Sequence, residues 1–247
     1  MSKQRIALVT GGMGGIGTAI SQRLAREGFT VVVGCTPNSP RREGWLALQR
    51  DLGFDFHICE HDITDWNSTR EAFADVRDQL GPIDVLVNNA GITRDASFRK
   101  LTPENWKAVI DTNLNGLFNT SKQVIEDMLA QGWGRIINIS SVNGQRGQFG
   151  QTNYSAAKAG IHGFSMALAR EVAGKGVTVN TISPGYIETD MTAVIRPEIL
   201  ENIVAGIPVG RLGKPEEIAS LIAWLASEEA GYATGADFSL NGGLNMQ

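Results

Sequence analysis

The sequence predicts an α/β fold: one doubly wound, seven-stranded parallel sheet with helices on both faces. Three observations predict it. Short apolar runs alternate along all 247 residues with longer runs whose apolar positions recur every three or four residues. The first apolar run leads straight into a glycine-rich turn and then a helix. No linker, internal repeat or low-complexity stretch interrupts the alternation, so residues 1–247 read as a single domain.

The first strand is Ile6-Ala7-Leu8-Val9. It is followed by Thr10-Gly11-Gly12-Met13-Gly14-Gly15-Ile16-Gly17 and a helix with the apolar stripe Ala19, Ile20, Leu24, Ala25, ending at Gly28. Strand, glycine turn and helix make the phosphate-cradling unit of a Rossmann fold. Glycines let the main chain approach a diphosphate, and a helix N-terminus offers amides and a positive dipole end. Two spacings fit: Gly12-x-Gly14-x-x-Gly17 and Gly11-x-x-x-Gly15-x-Gly17.

Thr30 to Gly34 is the second strand. An Asp or Glu at its end would bind ribose hydroxyls and favour NAD. The chain instead reads Cys35-Thr36-Pro37-Asn38-Ser39-Pro40-Arg41-Arg42. The two guanidiniums also fit solvated residues opening a helix. The missing carboxylate together with the arginines favours NADP, with Arg41 on the 2′-phosphate and Ser39 beside it.

Trp45, Leu46, Leu48 and Leu52 mark a helix, and Phe54 to Cys59 a third strand. Asp62 follows at the ligand-facing edge, where a carboxylate can take the adenine amine. Asp65 reads as the cap of a helix through Ala72, Phe73 and Val76. His57, His61 and His162 have no metal-ligand spacing, and no metal is expected. The fourth strand, Ile83 to Val87, ends in Asn88-Asn89-Ala90-Gly91, which can bind ribose, brace the sheet, or both. Thr102-Pro103 starts a long helix reaching Met128, with Asn113 and Asn115 interrupting its apolar face.

The stretch Arg135 to Val172 carries the chemistry. A strand ends in Ser140-Ser141, a polar loop runs from Gly144 to Gln151, and Asn153-Tyr154-Ser155-Ala156-Ala157-Lys158 opens a helix. Tyr154 and Lys158 are four apart and share a helix face. A phenol titrates near pH 10, and an ammonium about 4–6 Å away favours the phenolate and lowers that value. Such a tyrosine exchanges a proton with an alcohol oxygen, which Ser141 can also hydrogen-bond. Taken alone, Tyr-x-x-x-Lys also fits an ordinary surface pair. A sixth strand, Val177 to Ile182, leads out through Pro184 and Gly185. The stretch 186–208 then holds a short helix from Ile195 to Ile203 that suits a lid. A helix from Lys214 to Leu225 and a last strand, Phe238 to Leu240, close the chain.

Composition narrows the function. Hydrophobic residues make up 42% and charged residues 19%, with net charge −4, so no basic surface for nucleic acid is expected. Cys35 and Cys59 lie in apolar runs, as buried thiols do in a reducing compartment. Residues 1–5 carry no signal-peptide pattern, and no apolar run has membrane-spanning length. A cytoplasmic enzyme or binding protein is expected.

Thr10-Gly11-x-x-x-Gly15-x-Gly17, Asn88-Asn89-Ala90-Gly91, Asn113, Ser141, Tyr154-x-x-x-Lys158 and Pro184-Gly185, in this order, resemble the short-chain dehydrogenase/reductase family over essentially the whole chain. The resemblance implies Tyr154 as acid-base and Ser141 as the hydroxyl that polarises a carbonyl, thirteen positions earlier. It implies that Lys158 lowers the tyrosine pKa and binds the nicotinamide ribose, and that Asn113 holds a relay water. It places NADP along Gly11, Met13, Gly14, Gly15, Ile16 and Gly17, near Ser39, Arg41 and Asp62, over Asn89, Ala90 and Gly91, beside Tyr154 and Lys158, and against Pro184, Gly185, Ile187 and Thr189.

Within the family, the segments 38–42, 91–95, 141–145, 147–154 and 236–243 are most similar to members that reduce acetoacetyl-CoA with NADPH to an (R)-3-hydroxybutyryl thioester for polyhydroxybutyrate synthesis. That implies an acyl pocket of Asp95, Ser141, Gln148, Phe149, Gln151 and Tyr186, with Arg196 on the lid meeting CoA. Gln148 and Gln151 also fit a solvated loop, and Phe149 a loop anchor. The alternatives are reduction of a carrier-protein thioester and a non-catalytic NADP sensor. Against the carrier stands Gly132-Trp133-Gly134, where carrier-using members commonly offer a basic residue, although Lys175 remains. The family implies a homotetramer, with the helix through Asn113 to Met128 and the catalytic helix as contact surfaces.

Overall fold

Uncharged runs of Val, Ile and Leu can be buried on both faces, as a parallel sheet requires. The computed structural model describes residues 4–193 and 195–246. Among them the strands are β1 (Ile6–Val9), β2 (Thr30–Cys35), β3 (His57–Glu60), β4 (Val85–Asn88), β5 (Gly134–Ile139), β6 (Val177–Pro184) and β7 (Asp237–Leu240); β1, β2 and β4 are such runs, while the edge strands β3 and β7 carry Glu60 and Asp237 and are partly exposed. All pair in parallel, in the order β3-β2-β1-β4-β5-β6-β7. The order reverses between β1 and β4, and the crevice at their C-terminal ends is where this topology places ligands.

The helices are α1 (Gly15–Arg26), α2 (Arg42–Asp51), α3 (Trp66–Leu80), α4 (Pro103–Ile110), α5 (Gly116–Gln131), α6 (Val142–Arg146), α7 (Thr152–Val172), α8 (Asp190–Ala193), α9 (Pro197–Ala205) and α10 (Pro215–Leu225). On one face Ile20 and Leu24 of α1, Trp45 of α2 and Ile218 and Ile222 of α10 pack on the sheet. On the other, Phe73 of α3, Val124 and Met128 of α5 and Val172 of α7 do so. Full burial of such a side chain stabilises by roughly 1.5–3 kcal/mol. The expected caps are present: Asp65 accepts from the Ser68 amide at 2.6 Å, and Thr102 from that of Asn105 at 3.3 Å.

A row of buried polar side chains fixes α5 and α7 on the sheet just below the crevice. Asn88, Asn138 and Thr181 stand side by side in register on β4, β5 and β6. Asn88 donates to Asn138 at 2.9 Å and to Ser121 of α5 at 3.1 Å, and accepts from Thr120 at 2.6 Å. Asn138 and Thr181 each donate to Ser165 of α7 at 2.9 Å. Of the two roles open to Asn88 from sequence, the structure displays the brace.

Four expectations need correction. The third strand is His57–Glu60 rather than 54–59, because Phe54 and Phe56 stack on each other at 5.6 Å and Phe56 stacks on Trp45 at 5.4 Å. The long helix contains a π-turn, Asp111–Asn115, between α4 and α5. The loop expected from Gly144 starts with the short helix α6, because Ser141 caps it through the Asn143 amide. The lid segment 186–208 holds two helices rather than one, α8 and α9; its Val194 lies outside the described residues.

Candidate active site

At the start of α1 the main chain shapes the site. A Cβ on Gly17 would stand 2.3 Å from the Gly11 carbonyl, and one on Gly15 2.9 Å from Thr189 Cγ2. Gly11 has φ +60°. No side chain caps α1, and no carboxylate stands in its first turn. Such a bare, positive helix end behind a cradle that side chains would fill fits the diphosphate of a nicotinamide dinucleotide. Met13 is buried and Ile16 partly buried under the turn. The Thr10 hydroxyl accepts from the Asn89 and Ala90 amides at 3.0 Å, while Asn89 Nδ2 donates to the Thr10 and Gly11 carbonyls at 3.0 and 3.1 Å. Asn89 thus ties the fourth strand to the glycine turn. Thr10 was not singled out as a site residue, although a hydroxyl beside the first glycine is a readable signal.

Around the expected adenosine end, Arg42 pairs with Glu60 at 2.6 Å and with Glu43 at 2.8 Å, and Arg41 is exposed just ahead of α2. Ser39 is partly buried beside it, its carbonyl taking the Arg42 amide at 3.1 Å. Asp62 is exposed and uses Oδ1 on the Thr64 amide and hydroxyl at 2.9 and 2.7 Å. Opposite, Gly185 donates to the Leu240 carbonyl at 3.0 Å directly after Pro184, and Ile187 is buried and bridged to Gly213. Thr189 lines a cavity with Gly15, Thr192 and Leu200, placing the start of the 186–208 segment over the α1 N-terminus.

The reacting groups sit at the end of β5 and the start of α7. Ser141 Oγ accepts the Asn143 amide at 3.1 Å, which turns its proton away from α6. Its hydrogen bond to Tyr154 pulls the phenol pKa down, but burial is larger and the Asp95 carboxylate adds to it, so the phenol is pushed up to about 12. The Lys158 ammonium lies 5.6 Å from the Tyr154 ring centroid and donates to the Ile139 carbonyl at 2.7 Å. Burial brings its pKa down to about 8. The expectation that Lys158 lowers the tyrosine is therefore not met in this arrangement. Burial acts on both groups and disfavours both charges.

Asn113 sits in the π-turn, a feature frequent at functional sites. Its Oδ1 accepts the Ile92 amide at 2.8 Å and its Nδ2 donates to the Ile92 carbonyl at 3.0 Å, clamping the loop after β4. A Cβ on Gly91 would stand 3.3 Å from Asn113 Oδ1 and 3.5 Å from Lys158 Nζ, so these three converge.

The acyl-pocket candidates divide. Gln151 donates to Asp95 at 2.8 Å and accepts from Asn143 at 2.9 Å, joining Asp95, Gln151 and Ser141 in one chain of bonds. Gln148 contributes its carbonyl to the Gln151 amide at 3.1 Å. The Phe149 ring is 88% exposed, so it is no loop anchor in the core. Tyr186 lines a cavity with Ile207, Arg211 and Asn241, and Arg196 is exposed at the start of α9. Asn143, 8% exposed, was missed from sequence, and its Oδ1 is a buried acceptor without a partner among the described residues.

Among the described residues no group of three His, Cys, Asp or Glu could hold a metal, and no helix is long and apolar enough to cross a membrane. Cys35 and Cys59 are buried free thiols, which burial pushes up to about 11 and about 12.

Comparison with known proteins gives the same picture. The chain is 70% identical over 243 residues to an acetoacetyl-CoA reductase of Cupriavidus necator, covering 98% of this chain and 99% of the relative. It is 56% identical to nodulation protein G of Azospirillum brasilense, covering 99% of each chain. It is 45% identical to a 3-oxoacyl-(acyl-carrier-protein) reductase of Vibrio harveyi, covering 98% of each. The profile of the short chain dehydrogenase family matches residues 5–200. With the glycine turn, the Tyr154–Lys158 pair and the parallel sheet that brings them together, these matches show that the chain belongs to the short chain dehydrogenase family.

Proposed function

We propose that the protein reduces acetoacetyl-CoA to (R)-3-hydroxybutyryl-CoA with NADPH, supplying polyhydroxybutyrate synthesis. The observation that carries the chemistry is the Tyr154 phenol, bonded to Ser141 with Lys158 one turn away, beside a glycine cradle. The thioester is supported by the relative from Cupriavidus necator and by others of the same name from Allochromatium vinosum, at 55% identity, and Shinella zoogloeoides, at 52%.

NADPH, when bound, supplies the hydride for the ketone carbon. Gly11, Gly15 and Gly17, with Met13, Gly14 and Ile16, hold its diphosphate, and Asn89, Ala90 and Gly91 lie along it. Arg41, exposed just ahead of α2, and Ser39 take the 2′-phosphate. Asp62 takes the adenine, and Pro184, Gly185, Ile187 and Thr189 border the nicotinamide. Ser141 and Tyr154 donate hydrogen bonds to the ketone oxygen as negative charge develops there. Tyr154 then gives up its proton. Lys158 and a relay water resupply it, and Asn113 keeps the Ile92 loop in place for that water. Asp95, Gln148, Phe149, Gln151 and Tyr186 form the acyl wall, and Arg196 on the 186–208 lid meets CoA.

The composition of the turn at Gly132-Trp133-Gly134 no longer separates CoA from carrier protein. The turn precedes β5, about 17 Å along that strand from the Ser141 end at roughly 3.3 Å per residue. There Trp133 is stacked under the guanidinium groups of Arg5 and Arg135. Free Cys35 and Cys59 support a cytoplasmic location. Exposed Phe118 on α5 and Met166 on α7 support a homotetramer that buries these helices.

NADPH oxidation measured in parallel with acetoacetyl-CoA and acetoacetyl-carrier protein tests the reading. A much larger kcat/KM with the CoA ester is expected. Preference for the carrier would overturn the substrate, and activity with NADH alone would overturn the cofactor.

A further inference from the structure

Beneath the catalytic helix lies a chain of side chains that the proposed reaction does not use. Ser140, 2% exposed, donates its hydroxyl to the main-chain carbonyl of Lys158 at 2.8 Å. A hydroxyl has one proton to give. With that proton committed, the Nε2 atom of His162, 2.9 Å from Ser140 Oγ, bonds it only as a donor. On the other side of the ring, Nδ1 lies 3.2 Å from Asp237 Oδ2. A carboxylate only accepts, so Nδ1 donates as well. Asp237 is held in place by Gln145, which donates to Oδ2 at 2.7 Å, and by Ser183, which donates to Oδ1 at 2.8 Å.

We propose that His162, protonated on both ring nitrogens and paired with Asp237, is a positioning residue for Lys158 that acts through Ser140. The end of β5 grips Lys158 twice. The Ile139 carbonyl takes the ammonium at 2.7 Å, and the next residue, Ser140, takes the main-chain carbonyl. His162 fixes the direction of the Ser140 hydroxyl. Loss of the Nε2 proton turns that nitrogen into an acceptor that competes for the Ser140 proton and releases the Lys158 carbonyl. The charged groups facing the ring are Asp237 from β7 and Lys158, one turn earlier on α7. Ser140, Gln145 and Ser183 are neutral. The inference rests on the reading of Lys158 as part of the reductase site.

Ring-nitrogen NMR of the full chain tests this directly, with the His162 signals assigned by their loss in His162→Gln. Both nitrogens should show N–H shifts at pH 7; a neutral ring with unprotonated Nε2 would overturn the proposal. Asp237→Asn should make the same ring lose its proton at lower pH, and an unchanged titration would also overturn it. In NADPH-dependent turnover, His162→Gln keeps a donor to Ser140 and should stay near wild type. His162→Leu should lose about ten- to a hundredfold in kcat, with KM little changed and the alkaline limb of the pH profile displaced. Equal losses in both variants, or none in the leucine variant, would count against it. If the unmodified protein leaves acetoacetyl-CoA untouched, the substrate reading fails while the spectra still decide the state of His162.

Discussion

The glycine turn and the wall that faces it meet at the same edge of the sheet but are made of different material. The turn is main chain: Gly12 donates to the Gly34 carbonyl at 3.1 Å, Gly14 to Gly11 at 3.2 Å and Thr18 to Gly14 at 2.7 Å. The wall is side chain: Gln151 bridges Asn143 and Asp95, and Gln145 reaches Asp237, 92 residues away. A backbone cradle fits a constant feature, the diphosphate, and allows little variation. A side-chain wall can be changed one residue at a time without unfolding, as a surface that selects among ketones needs. The proton-transfer groups stand between the two, on a strand end and a helix that the Asn88–Asn138–Ser165 row holds rigid.

The sharpest cut between binding and chemistry is Tyr154→Phe. It removes the proton donor and leaves the glycine turn intact. We expect kcat to fall by about 10³–10⁴, the upper range for a positioned acid, with NADPH binding nearly unchanged by fluorescence titration. Retained turnover would end the acid-base role. The next effect tests the stiffness of the cradle. In Gly17→Ala the added methyl meets the Gly11 carbonyl at 2.3 Å and Gly12 Cα at 2.8 Å, both main chain. A cost of about 1–3 kcal/mol in stability is expected, with loss of cofactor affinity. A Tm and an NADPH affinity equal to wild type would show that the turn yields more easily than its contacts imply.

The same contrast explains what could be read from the sequence. The glycine turn, the Tyr154–Lys158 pair and the caps at Asp65 and Thr102 are local patterns, and the structure places them as spacing predicts. The polar row Asn88–Asn138–Thr181 is invisible in the sequence because its members lie 43 or more residues apart and meet only through strand register. His162, Ser140 and Asp237 come together only because α7 packs beside the end of β5 and the start of β7, which no local pattern reveals. The π-turn has no periodic signature either, since Asn113 earns it from a loop residue, Ile92, 21 positions away. The pKa directions of Tyr154 and Lys158 depend on burial, which helix spacing does not reveal.

Cofactor choice gives a smaller effect. Arg41→Ala should raise KM for NADPH by about ten- to a hundredfold, the worth of a charge-assisted pair, and leave that for NADH nearly unchanged. An equal rise for both would move the 2′-phosphate away from Arg41. The pH profile sharpens the proton-transfer half. Lys158 is brought down to about 8, so its ammonium is lost as pH rises through that value. Tyr154, pushed up to about 12, keeps its proton throughout the neutral range. Reduction needs both protons, so kcat/KM should be flat below pH 8 and fall about tenfold per unit well above it, as for one essential acid. A fall beginning only near pH 10 would mean that bound cofactor restores the charge on Lys158.

The smallest effect probes the most adjustable part of the wall. Phe149 stands 88% exposed, so its removal forfeits almost no folding contacts, and Phe149→Ala should leave Tm unchanged. If the ring closes on the acyl chain when substrate enters, its loss should raise KM for acetoacetyl-CoA by about threefold, the low end of what an aromatic contact contributes. The effect should vanish with a small ketone that does not reach the loop. Such a split between two substrates, with stability constant, would place Phe149 in recognition rather than in folding. A fall in Tm would instead mean that the ring is covered by another copy of the chain, and its exposure in the single chain would then describe a contact surface.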